Sequence, residues 1–137
     1  MRLDVSPFPT ADLARAWARN EIDVAAGVAR SRHITIAPAQ DAVYAAKYAD
    51  ALAFARAGYP AAKIDDYPWI KVEAESTGKM FAAAADGIRA GADPWHMHVG
   101  PTLEGLRIGG KAALATITST AAIVAHARAV VLQLSKI

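Results

Sequence analysis

The segment Trp95-His96-Met97-His98 contains the side chains of this sequence that are best suited to chemistry. His96 and His98 stand two positions apart, so their imidazoles can share one side of an extended loop, and imidazole is a common ligand of zinc, nickel and copper. The other histidines, His33 and His126, are distant in sequence. A structural loop around a buried tryptophan is the alternative interpretation. The sequence predicts no metal site, and His96 and His98 remain as the candidate ligands.

The remaining polar residues form no constellation that is typical of an enzyme. Adjacent Asp65 and Asp66 precede Tyr67-Pro68, a pattern typical of a turn. Glu73 and Glu75 are two positions apart on a predicted helix, where side chains point to different faces. The chain has no cysteine, which excludes disulfides and thiolate catalysis. The sequence predicts a protein without catalytic residues and without a cofactor.

Charge and hydropathy argue against two classes of partner. The 15 basic and 13 acidic residues are interleaved and give a net charge of only +2, whereas nucleic-acid binding needs a concentrated basic stripe. The short cluster of Arg30, Arg32 and His33 is better explained by a helix C-terminus, which favours cations. The most apolar stretch, 112–132, contains polar and ionisable residues that make a membrane span unfavourable. Neither a nucleic acid nor a membrane is an expected partner.

Alanine dominates the apolar residues, which make up 54% of the chain. Because alanine has the highest helix propensity, the sequence predicts an all-α fold, a bundle of three to four helices in a single domain over 1–137. Thr10 is the expected N-cap of the first helix, and Gly58 the expected end of the second. The predicted elements are an extended arm over 1–9, helices over 11–31, 39–57 and 69–90, a connector over 33–38, a loop over 92–101, and a long C-terminal helix over 111–137.

Apolar residues recur on more than one face of the predicted C-terminal helix. One row alternates steps of three and four residues, and a second row contains Ile123, Val130 and Leu134. A helix that is apolar on two sides is central to its own fold or shared with another subunit, and the second possibility predicts a homo-oligomer. Small residues that would permit close helix approach are Gly109, Gly110, Ala113, Thr116 and Thr120. The predicted interface residues are Leu114, Ile117, Ala121, Val124, Val131, Trp17, Tyr44 and Tyr48.

The first predicted helix also has a regular apolar pattern. Leu13, Trp17, Val24 and Val28 recur at helical spacing and form one face.

One part of the sequence, about residues 20 to 80, resembles a known family. Its motifs are Arg32-His33-Ile34-Thr35-Ile36-Ala37-Pro38, Tyr44-Ala45-Ala46-Lys47, Gly58-Tyr59-Pro60, Asp66-Tyr67-Pro68 and Glu73-Ala74-Glu75. Together they are similar to small helical proteins encoded beside the tail-fibre genes of tailed phages and prophages. Ala39 stands where that pattern often has glycine.

The resemblance implies a non-enzymatic structural component of a phage tail, associated with the tail fibre or baseplate. It also implies self-association and other tail proteins as partners, with no small-molecule substrate. The protein would be made in the host cytoplasm and located in the tail of the virion. Two alternatives remain open: a tail-fibre assembly chaperone that the virion does not retain, and a metal-binding enzyme that uses His96 and His98.

Overall fold

The computed structural model describes residues 7–34 and 40–137. Positions 1–6 of the predicted arm and positions 35–38 of the predicted connector lie outside the described residues, as does position 39, where the second helix was predicted to begin. Within those limits the protein is all-helical and contains no strand, which confirms the predicted class, with six α-helices where three to four were expected. They are α1 (Ala11–Ser31), α2 (Gln40–Arg56), α3 (Pro68–Thr77), α4 (Phe81–Asp93), α5 (Gly100–Ala113) and α6 (Thr120–Ser135).

The chain divides into two compact units. Unit 1 contains the described residues up to Ile34 together with His98–Ile137, and it packs α1 against α5 and α6. Unit 2 contains the described residues up to Met97 that follow the undescribed connector, and it packs α2, α3 and α4 together. Each unit is therefore a three-helix structure with its own core.

The core of unit 1 combines a face of small residues with a face of larger ones. Four of the five buried positions of α1 are alanine, which lets a neighbouring helix come close, and α6 fills the space with aliphatic side chains. The buried residues of these two helices are Ala14, Ala18, Ile22, Ala26, Ala29, Ile123, Val124, Ala127, Val130 and Leu134.

The predicted long helix over 111–137 is wrong, because the chain breaks between α5 and α6. A 3-10 turn occupies Leu114–Thr116, and Ile117 is extended (φ −87°, ψ 126°). Ser119 then caps α6: its side chain accepts a hydrogen bond from the Ala122 amide at 3.1 Å. Serine and threonine hydroxyls compete with helical hydrogen bonds and favour caps, so the polar run before α6 stops one helix and starts the next.

Arg15 of α1 stabilises this break. Its Nε donates to the Leu114 carbonyl at 3.1 Å and one Nη donates to the Ile117 carbonyl at 2.8 Å. The other Nη forms an ion pair with Asp12 at 2.8 Å. Carbonyls at a helix end lack intrahelical partners, so this guanidinium satisfies groups that the break leaves open.

In unit 2, α2 ends as the sequence predicts. The Gly58 amide donates to Ala55 and the Tyr59 amide donates to Phe54, each at 3.0 Å, with both Gly58 and Tyr59 at positive φ (84° and 58°). This pair of bonds is the Schellman motif, whose usual apolar contact is supplied by the Phe54 and Tyr59 rings, 5.6 Å apart and edge to face. A tyrosine in the left-handed region is uncommon, and here it fixes the direction of the ring.

The predicted helix over 69–90 is two helices, because Gly78 adopts the left-handed conformation (φ 70°) between α3 and α4. The Lys79 amide donates to the Ala74 carbonyl at 3.0 Å and closes α3. At its other end, α3 is capped from α2: the Asp50 carboxylate accepts from the Trp69 and Ile70 amides at 2.9 and 3.1 Å. The core that these helices share contains Ala51, Phe54, Ile70 and Ala85, with Tyr59, Ile64, Tyr67, Phe81 and Ile88 packed against it.

Adjacent glycines in α5 provide a test of the close approach of α5 and α6. A Cβ at Gly110 would lie 2.8 Å from a Val130 methyl group, whereas a Cβ at Gly109 meets nothing within 4 Å. Because alanine favours helix over glycine by up to about 1 kcal/mol, Gly109→Ala should raise the free energy of unfolding. The free energy of unfolding of Gly110→Ala should be about 1–3 kcal/mol lower than that of Gly109→Ala. Overpacking a core typically costs this much, and the β-branched side chain of Val130 has little freedom to move away.

Urea unfolding followed by circular dichroism measures both variants. In a Val130→Ala background the clash is absent, so Gly110→Ala should no longer be unfavourable there. Equal effects of the two glycine substitutions in the wild-type background would contradict the close approach.

Candidate functional site

The predicted interface residues of unit 1 differ in their accessibility. Leu114 is fully buried and Val124 is 7% exposed, so both are core residues of unit 1. Ile117 and Val131 are half-buried, and Ala121 is exposed. Of the predicted interface row, only Ile117, Ala121 and Val131 are therefore accessible to a partner. Leu114 and Val124 are covered within the unit, because the alanine face of α1 lets its neighbouring helices come close.

The predicted interface residues of unit 2 are Tyr44 and Tyr48. Tyr44 is 48% exposed. Tyr48 is half-buried, its hydroxyl donates to Asp93 Oδ1 at 2.8 Å, and its ring stacks on His96 with centroids 4.0 Å apart and planes within 6°. The hydrogen bond to the Asp93 carboxylate raises the pKa of Tyr48, so this side chain stays a neutral phenol. Tyr48 therefore joins α2 to α4 inside its own unit.

The segment around the candidate metal ligands is helical. The predicted loop over 92–101 contains a π-helical segment, Pro94–Val99, in which His96 stacks on Tyr48 and His98 is exposed. In the part of the chain that the structure describes, no three histidine or acidic side chains come together as a metal site. His126 hydrogen-bonds the Gly110 carbonyl at 2.8 Å. His96 is thus engaged in stacking, while His33 and His126 contact backbone carbonyls.

The most prominent accessible feature is an apolar stripe on α1, formed by Leu13, Trp17, Val24 and Val28. Leu13, Val24 and Val28 are 53–55% exposed, and Trp17 is half-buried. Their spacings of four, seven and four residues place all four within about 60° of the helix circumference. The four residues therefore lie on one face, with exposed Asn20 in the gap between Trp17 and Val24. The apolar pattern read from the sequence is thus an exposed face.

This arrangement reverses the usual distribution of side-chain size on a helix. The core face of α1 is mainly alanine, with Ile22 as its one large residue, while the larger side chains face solvent. Burying a large aliphatic side chain gains more free energy than burying alanine. The stripe would therefore contribute favourable free energy if a partner covered it. The sequence pattern that could have indicated the buried face is the second periodic row of α1, the alanines at 14, 18, 26 and 29.

Three charged residues of α1, Asp12, Arg15 and Asp23, form contacts within unit 1. Asp23 pairs with Lys111 at 2.9 Å and with Arg107 at 3.0 Å, which joins α1 to α5. The hydrogen bond from Lys111, reinforced by Arg107, lowers the pKa of Asp23. At the N-terminal end, the ring of Phe8 packs on Trp17 with centroids 5.2 Å apart. The stripe itself contains no charged residue that would repel a second apolar surface.

None of the helices in the described ranges combines the length and the apolar character needed to cross a membrane.

Comparisons with known proteins find no matching family model, no similar curated protein and no similar solved structure. The resemblance to tail-associated proteins therefore stays a prediction from the sequence motifs.

Proposed function

We propose that this protein is a non-enzymatic structural component of a phage tail, associated with the tail fibre or baseplate, and that it assembles through the apolar stripe of α1. The observation behind the proposal is the exposure of Leu13, Val24 and Val28 on one helix face. Contiguous exposed apolar surface is typical of sites where proteins bind one another. The resemblance of residues 20 to 80 to tail-associated proteins supports the phage context.

The expected occupant of the stripe is a second copy of the chain. In a two-fold dimer the same surface is used by both partners, so each stripe residue is buried in both copies. Completing the burial of a half-exposed aliphatic side chain contributes about 1 kcal/mol. The six such side chains of a dimer, together with the two Trp17 rings, provide a gain that can exceed the lower estimates of the cost of association. The absence of charge on the stripe permits two copies to meet without repulsion.

A paired substitution tests the stripe directly. Wild-type protein should have the mass of an oligomer in light scattering, and Val24→Lys/Val28→Lys should have the mass of one chain, because two ammonium groups would have to be desolvated at the interface. Both positions are more than half exposed, so helicity and the unfolding midpoint should stay near wild type. Leu132→Lys is the matched control, since Leu132 is 58% exposed on α6 and lies outside the stripe.

A wild-type protein that remains monomeric, or a double variant that keeps the wild-type mass, would contradict assembly through this face. An equal loss of oligomeric mass in Leu132→Lys would show that assembly is not specific to the stripe. A fibre-assembly chaperone would use the same stripe only transiently. Mass spectrometry of purified virions separates the two roles, because a structural component remains in the particle and a chaperone does not.

A further inference from the structure

A second accessible feature lies in unit 2, between α2 and α4. It is a groove of about 380 Å³, a size within the range of small-ligand sites. We call it the tyrosine–arginine groove. Its lining residues are Tyr48, Leu52, Ala55, Arg56, Tyr59, Arg89, Asp93 and Met97.

Helical spacing explains how the sequence builds the two walls. On one wall, Tyr48, Leu52 and Ala55 are three or four residues apart on α2, so they share a face. On the other wall, Arg89 and Asp93 are four residues apart on α4. Tyr59 completes the groove from the Schellman motif described above, whose left-handed backbone fixes the direction of its ring.

The two tyrosine hydroxyls already donate to carboxylates. Tyr48 donates to Asp93 at 2.8 Å, and Tyr59 donates to Asp86 at 2.6 Å. The hydrogen bond to Asp86 raises the pKa of Tyr59, and the nearby guanidinium of Arg89 opposes this effect. Each carboxylate thus accepts a hydrogen bond from a neutral phenol and keeps its negative charge, which offsets part of the positive charge of the groove.

The two arginines of the groove provide that positive charge. Across 7–34 and 40–137, neither Arg56 nor Arg89 forms an ion pair with a carboxylate. The Nε of Arg89 is closed off from solvent and has no hydrogen-bond partner in that part of the chain. An unsatisfied buried donor is unusual in a native protein, and an ordered water or an ion commonly satisfies such a group. A guanidinium presents its N–H groups as a planar fork that matches carboxylate or phosphate oxygens.

We propose that the tyrosine–arginine groove binds a small organic anion, a carboxylate or phosphate group attached to an apolar body. Arg89 and Arg56 hold the anionic oxygens, and Leu52 and Met97 contact the apolar body. The carboxylates of Asp86 and Asp93 already accept hydrogen bonds from tyrosines, whereas neither arginine of the lining forms an ion pair within the described residues, which favours a ligand that accepts hydrogen bonds. This binding does not depend on assembly, because the groove lies in unit 2 and the apolar stripe lies in unit 1.

Nitrogen-15 NMR of the arginine Nε–Hε groups tests the proposal on full-length protein. Phenyl phosphate and benzoate are the probes, and phenol and sodium chloride at matched ionic strength are the controls. The Arg89 signal should move in a saturable way with a dissociation constant at or below about 1 mM for at least one probe. Inorganic phosphate should bind at least about 10-fold more weakly, because it has no apolar body to bury. The tighter of the two probes identifies the head group.

Substitutions assign the binding to the groove. Arg89→Gln and Arg56→Gln should each weaken binding of the tighter probe by about 10-fold or more, since each removes charge-assisted hydrogen bonds. Arg128→Gln, at an exposed position on α6 in unit 1, should bind as wild type does. Circular dichroism checks that the variants are folded, and exposed Arg56 provides the test if the half-buried Arg89 variant is not.

Three results would overturn the proposal. They are a lack of saturable shift up to about 10 mM probe, an equal response to phenol or sodium chloride, and wild-type affinity in a folded Arg89→Gln or Arg56→Gln variant.

Discussion

Val124→Asp should lower the free energy of unfolding by about 3–5 kcal/mol, because it places an unpaired carboxylate in the core of unit 1. Val124 is only 7% exposed and lies on the buried face of α6. An aspartate there must either remain charged without a partner or take up a proton. Urea unfolding followed by circular dichroism should show a much lower midpoint, or loss of helicity in the absence of urea.

The adjacent residue provides the control. Ala125 is exposed on the same helix, so Ala125→Asp adds the same charge one position away and should change stability by no more than about 0.5 kcal/mol. The sequence-based interpretation placed Val124 at an interface between subunits. A variant that kept the wild-type midpoint and lost only its oligomeric mass would support that interpretation and contradict the core position.

Phe54→Ala is expected to have a similarly large effect on unit 2, a loss of about 3–5 kcal/mol in the free energy of unfolding. Phe54 is fully buried, and its ring lies 5.6 Å from Tyr59 and 5.0 Å from Tyr67, both in edge-to-face arrangements. Removing the ring leaves a cavity and removes the apolar contact of the Schellman motif. Urea unfolding gives the loss, and near-ultraviolet circular dichroism reports the ordering of the two tyrosines.

Phe54→Leu separates loss of apolar volume from loss of the ring. Leucine refills part of the space, so this variant should lose about 1–2 kcal/mol. The near-ultraviolet signal of Tyr59 and Tyr67 should still decrease, because their ring partner is gone. A loss of less than about 1 kcal/mol for Phe54→Ala would show that the core of unit 2 does not depend on this side chain.

Local signals in the sequence predicted the helical class and several helix ends. Alanine content indicated helix, Thr10 caps α1 by accepting from the Leu13 amide at 3.2 Å, and Gly58 ends α2. These features depend on a few neighbouring residues, so they can be inferred without knowledge of the fold. Gly78 lies inside the predicted helix over 69–90, and the sequence could not distinguish its left-handed conformation from that of a tolerated helical glycine.

The choice between two apolar faces could not be made from the sequence. On α1, the row with Val24 has the larger hydrophobic residues, and yet the alanine row with Ala18 is buried. Which row faces the core depends on how closely another helix approaches, and that helix is distant in sequence. The same limit affected the C-terminal region, where Leu114 and Val124 were assigned to an interface and are core residues of unit 1.

The tyrosine–arginine groove was only partly accessible to sequence reasoning. Tyr48 was predicted to be an interface residue, and His96 was a candidate metal ligand. Arg56 and Arg89 were missed because each is a single arginine near a helix end and the two lie on different helices. The packing of α2 on α4 brings them to one groove, and no local pattern encodes that pairing.

Unit 1 is built from both ends of the described chain, so its helices are synthesised at different times. Its first helix, α1, precedes all of unit 2, and its last helix, α6, follows it. On the ribosome, at about 5–20 residues per second, the helices of unit 2 emerge before α6 does, so unit 2 can fold first. During that interval both the alanine face and the apolar stripe of α1 are uncovered. The nascent chain is therefore most exposed to premature association before its final helix has been made.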